Sequence, residues 1–395
     1  MNFVFISANY PDNYWMFCRG LKRYGATVLA VVDTPYEMLD PRVKEFCDEC
    51  YVVQSFHNYE EIFRAVAYFS FKYGKIDWIE SNNEAWLTLD ARLRDDFNVK
   101  TGFSLARIEE LQSKAGMKKY YAKAGVPTAR HALVKTLDEA LDFAKNVGYP
   151  LVLKPDHGVG ASFTYKCEND AQLTGYFNET AAYQMILEEF IDGEVFTLDG
   201  VCDANGDIRY LSSMEYIGNC MDSVSKQQSI GSYTAFNISQ DYFDIVQRTI
   251  KAFEIKNRFF HCEWFRLNVD KPGLGNKGDV IGLEVNFRAP GGLCPDLMNY
   301  SCDMDVYDLW AQVILTQDCE PHPRHYSAGF AGRRNAEHYK YTAQEIEQKY
   351  AGEWIDTMYL PPALAAGMGD VCIVGKFSTE ERVLEFYKDA FELAD

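Results

Sequence analysis

The sequence has no apolar run long enough to cross a membrane and no excess of positive charge. Nowhere do about eighteen apolar residues follow one another, and MNFVFISANY has no basic segment before its short apolar stretch. The 39 basic and 58 acidic residues give a formal net charge of -19, which repels nucleic acid and anionic lipid surfaces. We therefore expect a cytoplasmic protein without nucleic-acid or membrane partners.

Cysteine and histidine are too scattered to indicate a disulfide framework or a structural transition-metal site. The 11 cysteines are an odd number, spread from Cys18 to Cys372, which favours reduced thiols. Cys47 and Cys50 form a close pair, but only His57 is nearby, so buried thiols beside a strand are favoured over a metal or redox site. The 7 histidines show no ligand spacing.

Two common nucleotide-binding patterns are also missing. The loop SANYPDNYW lacks the glycines of a dinucleotide-binding turn, although Asp33 ends the second predicted strand as a ribose-binding acid would. The segment PDHGVGASF has no Gly-Lys-Ser/Thr after its glycines, so it is not a Walker loop. Instead, FVFIS, TVLAVVD and IDWIES alternate with amphipathic stretches, which predicts a small parallel sheet with crossover helices.

Beyond the first hundred residues the pattern changes. One helical stretch is predicted over 105–124, ended by Gly125 and Pro127. Short strands and helices then indicate a compact α+β subdomain. Two antiparallel hairpins follow, one turning at Asn205-Gly206-Asp207 and the other joining FFHCEWFRLNV to DVIGLEVNFR. A chain of 395 residues is expected to form more than one domain.

Three polar residues in GLEVNFRAPGG are spaced two apart. Glu284, Asn286 and Arg288 would share one face of a strand, although a half-exposed surface strand shows the same alternation. Glu263 lies on the partner strand among aromatic residues that indicate burial, where an acid needs a compensating cation. Two carboxylates and an amide oxygen suit Mg²⁺, and Arg288 would bind a developing anion or a substrate carboxylate.

Two upstream segments could bind a nucleotide. Lys154 leaves an apolar strand into a loop with two glycines, whose backbone amides can face phosphate oxygens. In MILEEFIDGEV, Glu188 and Glu189 interrupt an apolar strand and Glu194 follows a glycine, which is compatible with an adenosine pocket. Taken alone, the first segment is equally a plain turn and the second an edge strand with solvated glutamates.

These three clusters, in this order, resemble the ATP-grasp superfamily over roughly residues 111–307. The resemblance implies an α/β and α+β fold with a Rossmann-like parallel sheet domain over 1–105. It further implies an ATP-grasp domain over 106–318, containing a mobile lid subdomain at about 128–185, and a small C-terminal domain over 319–395.

The resemblance also implies site residues. ATP would be held by Lys114, Lys154, His157, Gly158, Gly160, Ser162, Glu188, Glu189, Ile191 and Glu194. The metal, Mg²⁺ or Mn²⁺, would be held by Glu263, Glu284 and Asn286, and Arg288 would be catalytic. Lys226, Arg333 and Arg334 are candidates for substrate contact. The chain departs from the family pattern at Ser113, where Asp is frequent, at Phe287, where Pro is common, and in the long loop between Glu263 and Glu284.

The chain looks most similar to the carboxylate-amine ligase branch, with amino-acid ligases, carbamoyl-phosphate synthase large chain and biotin carboxylase. This implies an ADP-forming ligase that makes an amide or peptide bond through an acylphosphate, from small-molecule carboxylate and amine substrates resembling amino acids. Two alternatives stay open: a carboxylase acting through carboxyphosphate from bicarbonate, and a nucleotide-binding protein without turnover. A homodimer through the N-terminal sheet is expected by the same resemblance.

Overall fold

A computed structural model describes residues 1–158, 163–180, 183–218 and 228–394. The described strands are β1 (Asn2–Ile6), β2 (Thr27–Val32), β3 (Glu49–Val52), β4 (Trp78–Glu80), β5 (His131–Val134), β6 (Leu151–Pro155), β7 (Tyr165–Cys167), β8 (Met185–Glu189), β9 (Gly193–Cys202), β10 (Ile208–Ile217), β11 (Ile230–Thr234), β12 (Arg258–Leu267), β13 (Val280–Asn286), β14 (Ser327–Arg333), β15 (Trp354–Tyr359) and β16 (Val371–Phe377).

The described α-helices are α1 (Trp15–Arg23), α2 (Pro41–Phe46), α3 (Tyr59–Tyr73), α4 (Leu87–Asp96), α5 (Leu105–Gln112), α6 (Lys114–Ala124), α7 (Leu137–Val147), α8 (Asp170–Glu179), α9 (Gln240–Ala252), α10 (Cys294–Cys302), α11 (Val306–Thr316), α12 (Ala343–Lys349), α13 (Pro362–Met368) and α14 (Glu380–Phe391). None of the helices in the described ranges is long and apolar enough to span a bilayer.

The N-terminal part forms the parallel sheet that the alternating pattern predicts. Its strand order is β3-β2-β1-β4, and β1 pairs in parallel with both β2 and β4. The strands β1 and β2 are almost wholly buried, because helices cover both faces of such a sheet. The carboxyl ends of β1 and β4 therefore lie side by side at one edge, where ligands bind in open α/β sheets.

A second sheet, β5-β8-β6-β7, is small and antiparallel. Helices α7 and α8 cover it, and α7 begins with a capping box in which Thr136 and Glu139 bind each other's backbone amides. Its own apolar cluster includes Leu151, Leu153 and Leu187. This unit is the compact α+β subdomain expected from the sequence, and it carries Lys154 at the end of β6.

The largest sheet is antiparallel, with strand order β13-β12-β9-β10-β11-β14-β16-β15. The C-terminal strands belong to it, since β14 pairs with β11 through Ile230 opposite Gly332. The predicted boundary at 318–319 thus falls within one continuous sheet rather than between separate sheets. The domain limits themselves stay predictions.

The helical stretch 105–124 was predicted as one helix, and the structure divides it at Ser113. The extended backbone of Ser113 separates α5 from α6, and its hydroxyl caps α6 by accepting from Gly116 N at 2.9 Å. Ser113 also donates to Asp156 at 2.8 Å, and Lys114 N donates to Asp156 O at 2.9 Å. The break matters because it places Lys114 at the first position of α6, facing the loop after β6.

Candidate functional site

The hairpin of β12 and β13 brings the two predicted metal-binding acids directly opposite each other. Glu263 pairs with Glu284, and His261 pairs with Asn286, with a bulge after Glu263. The long loop between the strands therefore leaves the two acids in register. Opposite residues of an antiparallel pair have their Cβ atoms about 4.5–5.5 Å apart, so a single cation could contact both carboxylates.

The electrostatics of this pair fit a divalent cation. Burial raises the pKa of Glu284, the Lys114 ammonium at 3.9 Å opposes that rise, and the charge of Glu263 adds to it. Repulsion between two carboxylates is what a metal ion relieves. Two carboxylates with the Asn286 amide form a ligand set suited to Mg²⁺ that leaves positions for phosphate oxygens. Within the described ranges, no three His, Cys, Asp or Glu side chains are already placed to hold a metal ion together.

His261 is a buried neighbour of these acids that the sequence reasoning missed. Its Nδ1 lies 2.6 Å from Asp199 Oδ1 and its Nε2 lies 3.2 Å from Glu263 Oε1. Burial alone would lower the pKa of His261, but the Asp199 carboxylate and these hydrogen bonds raise it to about 9. An imidazolium can donate to both carboxylates and so orients Glu263. The spacing of His261 and Glu263, two residues apart on one strand, was a signal that could have found it.

Three lysines lie at the base of the same region. Lys154 Nζ contacts Glu188 Oε2 at 2.6 Å, and Lys118 Nζ contacts Glu188 Oε1 at 2.7 Å. Burial would raise the pKa of Glu188, yet the two ammonium groups hold it far below its usual range. Lys118 was not predicted, although it follows Lys114 by one helical turn. The Glu188 side chain thus serves as a counter-ion of two lysines.

The glycine loop after β6 approaches these groups. Lys114 Nζ donates to Gly158 O at 2.9 Å, and Gly158 has a φ of 123°, which favours glycine. His157 lies more than half exposed beside Asp156, with Nδ1 3.2 Å from Oδ2. Gly160 and Ser162, which were predicted to contact phosphate, lie outside the described residues.

A cavity of about 370 Å³ connects the predicted groups. It is lined by residues of the N-terminal sheet domain, of the glycine loop and of the hairpin, including Glu84, Gln112, His157, Gly158, Glu284 and Asn286. Two of the predicted metal ligands, Glu284 and Asn286, thus face one space of the size that small-molecule sites have, and Lys114 Nζ lies 3.9 Å from Glu284.

The remaining residues of the predicted adenosine segment point elsewhere. Glu189 follows Glu188 on β8, so its side chain faces the opposite side of the sheet. It accepts from Arg130 N at 2.8 Å and lies 3.4 Å from Lys271 Nζ. Ile191 is buried in a small apolar cluster. The side chain of Glu194 is largely exposed and lies 3.4 Å from Arg266. The predicted contacts of Glu189, Ile191 and Glu194 with adenosine stay predictions.

Arg288 follows β13 and reaches the N-terminal domain. Its Nε donates to Glu84 Oε2 at 3.0 Å, and its Nη1 donates to Ala289 O at 2.9 Å. Glu84 lies in a short 3₁₀ helix over Glu84–Trp86, just after β4. Glu84 was missed in the sequence because nothing in IESNNEAW distinguishes it from other surface acids.

Two of the predicted substrate residues lie apart from this cavity. Arg333 and Arg334, at the end of β14, are buried and donate to backbone carbonyls, including Ala390 O for Arg333 and Ala366 O for Arg334. They line a different cavity with residues of the C-terminal part. Lys226 lies outside the described residues.

Comparison with known proteins shows what this arrangement is similar to. Residues 113–259 match the family model described as carbamoyl-phosphate synthase L chain, ATP binding domain. A solved L-amino acid ligase from Bacillus licheniformis superposes with a TM-score of 0.74 at 18% identity, covering 98% of this chain and 96% of that one. The chain has the ATP-grasp fold. A biotin carboxylase domain from Hydrogenobacter thermophilus, solved with MgADP, shares the ATP-grasp fold with a TM-score of 0.69 at 17% identity, over 99% of this chain and 90% of that one.

Relatives detected by sequence match only parts of this ATP-grasp chain. Carbamoyl phosphate synthase large chain of Vibrio vulnificus (strain CMCP6) is 24% identical over 195 residues, which are 48% of this chain and 17% of that protein. D-alanine--D-alanine ligase of Pseudomonas putida (strain GB-1) is 27% identical over 201 residues, 48% of this chain and 58% of that protein. The chain therefore spans less than two thirds of the length of these relatives.

Proposed function

We propose that this chain is an ATP-dependent carboxylate-amine ligase that forms an amide or peptide bond on amino-acid-like substrates and releases ADP and phosphate. The observation that carries the proposal is the pairing of Glu263 with Glu284 across the hairpin, beside two lysines. Lys114 Nζ lies 3.9 Å from Glu284, and both acids raise the pKa of Lys154. On a half-exposed surface strand, the acids would face solvent and would not lie beside buried lysines. The similarity of the whole fold to an L-amino acid ligase supports the same proposal.

The lysines would bind the triphosphate. Lys114 and Lys154 would move from Gly158 O and Glu188 to phosphate oxygens, while Glu188 keeps Lys118 as its partner. Neutralising the charge on the transferring group is most of what an enzyme contributes to phosphoryl transfer. Glu263, Glu284 and Asn286 would hold Mg²⁺ or Mn²⁺, which would supply further charge neutralisation.

The reaction then needs no nucleophilic side chain. A carboxylate oxygen of the first substrate attacks the γ-phosphorus, the bond to the β-γ bridging oxygen breaks, and ADP leaves. The nitrogen of the amine substrate attacks the acyl carbon of the acylphosphate, loses a proton and expels inorganic phosphate. Arg288 would hold the carboxylate of the first substrate and the developing negative charge.

Closure of the small sheet over the cavity would protect the acylphosphate from water. The small sheet carries Lys154 and the glycine loop, whereas the large sheet carries Glu263 and Glu284. Because the two sheets are separate, a hinge motion between them can open and close the site. The small-molecule substrates are the partners that the proposal requires, and the cytoplasmic location and the homodimer remain part of it as predictions.

The test is incubation of the protein with ATP, MgCl₂ and a panel of amino acids, with detection of ADP, phosphate and condensed products by mass spectrometry. Amino-acid-dependent release of ADP together with a dipeptide or amide mass is expected. Release of ADP that depends on bicarbonate would favour the carboxylase instead. Formation of AMP and pyrophosphate, or tight ATP binding without turnover on any panel member, would contradict the ligase proposal.

A further inference from the structure

One ion pair at the wall of the cavity is contributed by two different parts of the chain. Glu84, from the loop after β4, accepts from Arg288 Nε at 3.0 Å. The carboxylate is also held by Gln112 Nε2, which donates to its other oxygen at 3.2 Å. Glu84 and Gln112 both line the cavity that Glu284 and Asn286 line. The Glu84 carboxylate therefore has a fixed position beside the proposed reaction centre.

The pair formed by Glu84 and Arg288 is more exposed than the ion pairs of Glu80, one of which joins the same two parts of the chain. Glu80 contacts Arg258 at 2.7 Å and Arg94 at 3.3 Å, and each of these side chains is only 2% exposed. Arg288 and Glu84 are 16% and 15% exposed, and Glu84 lines the cavity, so a small molecule there can reach Glu84 and the guanidinium bound to it. An ion pair that a ligand can reach is able to exchange partners with that ligand.

The chemistry of the pair is complementary to a zwitterion. An α-amino acid carries a carboxylate and an ammonium group on one carbon, so its two charges are as close together as those of Arg288 and Glu84. Its carboxylate can pair with the guanidinium while its ammonium pairs with the carboxylate. We propose that Glu84 binds the ammonium group of an α-amino acid whose carboxylate lies at Arg288, which makes this amino acid the carboxylate substrate. The inference rests on the proposed ligase function.

A simple carboxylic acid or bicarbonate fits the same wall less well. Such an anion brings no cation for Glu84, and displacing Glu84 from Arg288 would leave an unpaired carboxylate near Glu284 and the new anion.

Pairing with Glu84 also determines which amine reacts. It keeps the amino group of the bound amino acid protonated, and hence not nucleophilic, so the amine that attacks must come from the second substrate.

The test uses Glu84→Gln, which keeps the shape of the side chain and removes its charge. Glu109→Gln is the matched control, because Glu109 is an exposed acid on α5. ADP release is measured with ATP, MgCl₂, a fixed excess of an amino-acid amide as the amine substrate, and each of the twenty L-amino acids. It is measured in the same way with the deamino analogue of each active one, such as propionate for L-alanine. Melting temperatures of both variants verify that they fold.

The wild-type protein and Glu109→Gln should use the amino acid about 10- to 100-fold more efficiently, in kcat/KM, than its deamino analogue. Glu84→Gln should lose most of that preference, because the KM for the amino acid rises and the analogue no longer leaves an unpaired carboxylate beside it. Should Glu84→Gln keep the preference, or should the wild-type protein use both acids equally well, the role of Glu84 is refuted and the ligase proposal stands. An absence of ADP with every acid would overturn the ligase proposal and this inference with it.

Discussion

Two clusters of buried charge show how the same residue types serve different purposes in this molecule. In the first, Glu80 binds Arg94 and Arg258, whose guanidinium groups also donate to backbone carbonyls, including Ile79 O and Phe287 O. We call this the seam cluster, because it joins the N-terminal sheet to β12 and to the residue after β13. Its hydrogen bonds to backbone carbonyls stabilise the contact between these parts of the chain.

The second cluster joins Lys118 and Lys154 to Glu188, and we call it the lysine cluster. Its ion pairs run between side chains only, and the charges of Lys154 and of the cavity-lining Glu284 influence each other's pKa. Ion pairs near Glu284 can exchange partners with a ligand, whereas the seam cluster is enclosed, with Glu80, Arg94 and Arg258 each only 2% exposed. Burial alone therefore does not distinguish a structural ion pair from a binding site.

The largest effect is expected from Arg258→Met in the seam cluster. Glu80 would keep only the longer contact to Arg94, and removing one partner of a buried ion pair costs about 3–5 kcal/mol in the free energy of unfolding. Urea denaturation measures this loss. The fraction that remains folded should bind ATP with the wild-type affinity, and a weakened affinity would show that the seam cluster contributes to the site.

Glu284→Gln, at the proposed metal site, should reduce activity and leave the stability of the fold intact, unlike Arg258→Met. We expect a roughly 100- to 1000-fold loss of Mg²⁺-dependent ADP release, as for removal of one key electrostatic group. Stability should be unchanged or slightly higher, since burial and the charge of Glu263 both raise the pKa of Glu284. Titration with MgCl₂ measures the metal requirement, and retained turnover at ordinary MgCl₂ would remove Glu284 from the metal site.

Lys118→Met tests whether the lysine cluster serves the ligand. With Lys118 absent, Glu188 would compete with phosphate for Lys154, so the Kd for ATP should rise about tenfold, which corresponds to ~1.4 kcal/mol. Calorimetric titration with a non-hydrolysable ATP analogue measures this. Lys119→Met is the control, because the side chain of Lys119 is 71% exposed on the same helix. Equal affinities of the two variants would contradict a role for Lys118.

The smallest effect concerns the pH dependence of stability at Asp90, a buried acid near Glu80 of the seam cluster. Burial, with the nearby charge of Glu80, raises the pKa of Asp90 to about 8. The folded protein then retains a proton that the unfolded chain releases near pH 4, so this contribution to stability is present in acid and is lost as pH rises from about 4 to 8.

The comparison variant is Asp90→Asn, whose amide oxygen can still accept from Ser81 N. Between pH 6 and 8, the unfolding free energy of the wild-type protein should fall more steeply than that of the variant, by on the order of 1 kcal/mol per pH unit. Urea denaturation at several pH values measures both slopes. Parallel slopes would show that Asp90 is already ionised in this range.

Much of the local structure could be predicted because it depends on short-range patterns. Helix α3 (Tyr59–Tyr73) is one of the amphipathic stretches predicted between the first strands, and its apolar spacing and Gly74 mark both its buried face and its end. The break at Ser113 was missed, because it depends on hydrogen bonds to Asp156, which is distant in the sequence. The membership of β14 in the large sheet was missed for the same kind of reason.

The amino-acid sequence by itself determined the alternation of strands and helices, the strand faces of Glu284 and Asn286, and the resemblance to ATP-grasp proteins. These follow from periodicity and from the order of motifs along the chain. Only the tertiary structure decided that Glu263 lies opposite Glu284, because the register of a hairpin with a long loop is set by the pairing of its strands. The partners of Glu188 and Arg288 were likewise decided by packing, which brings together side chains that lie far apart in the sequence.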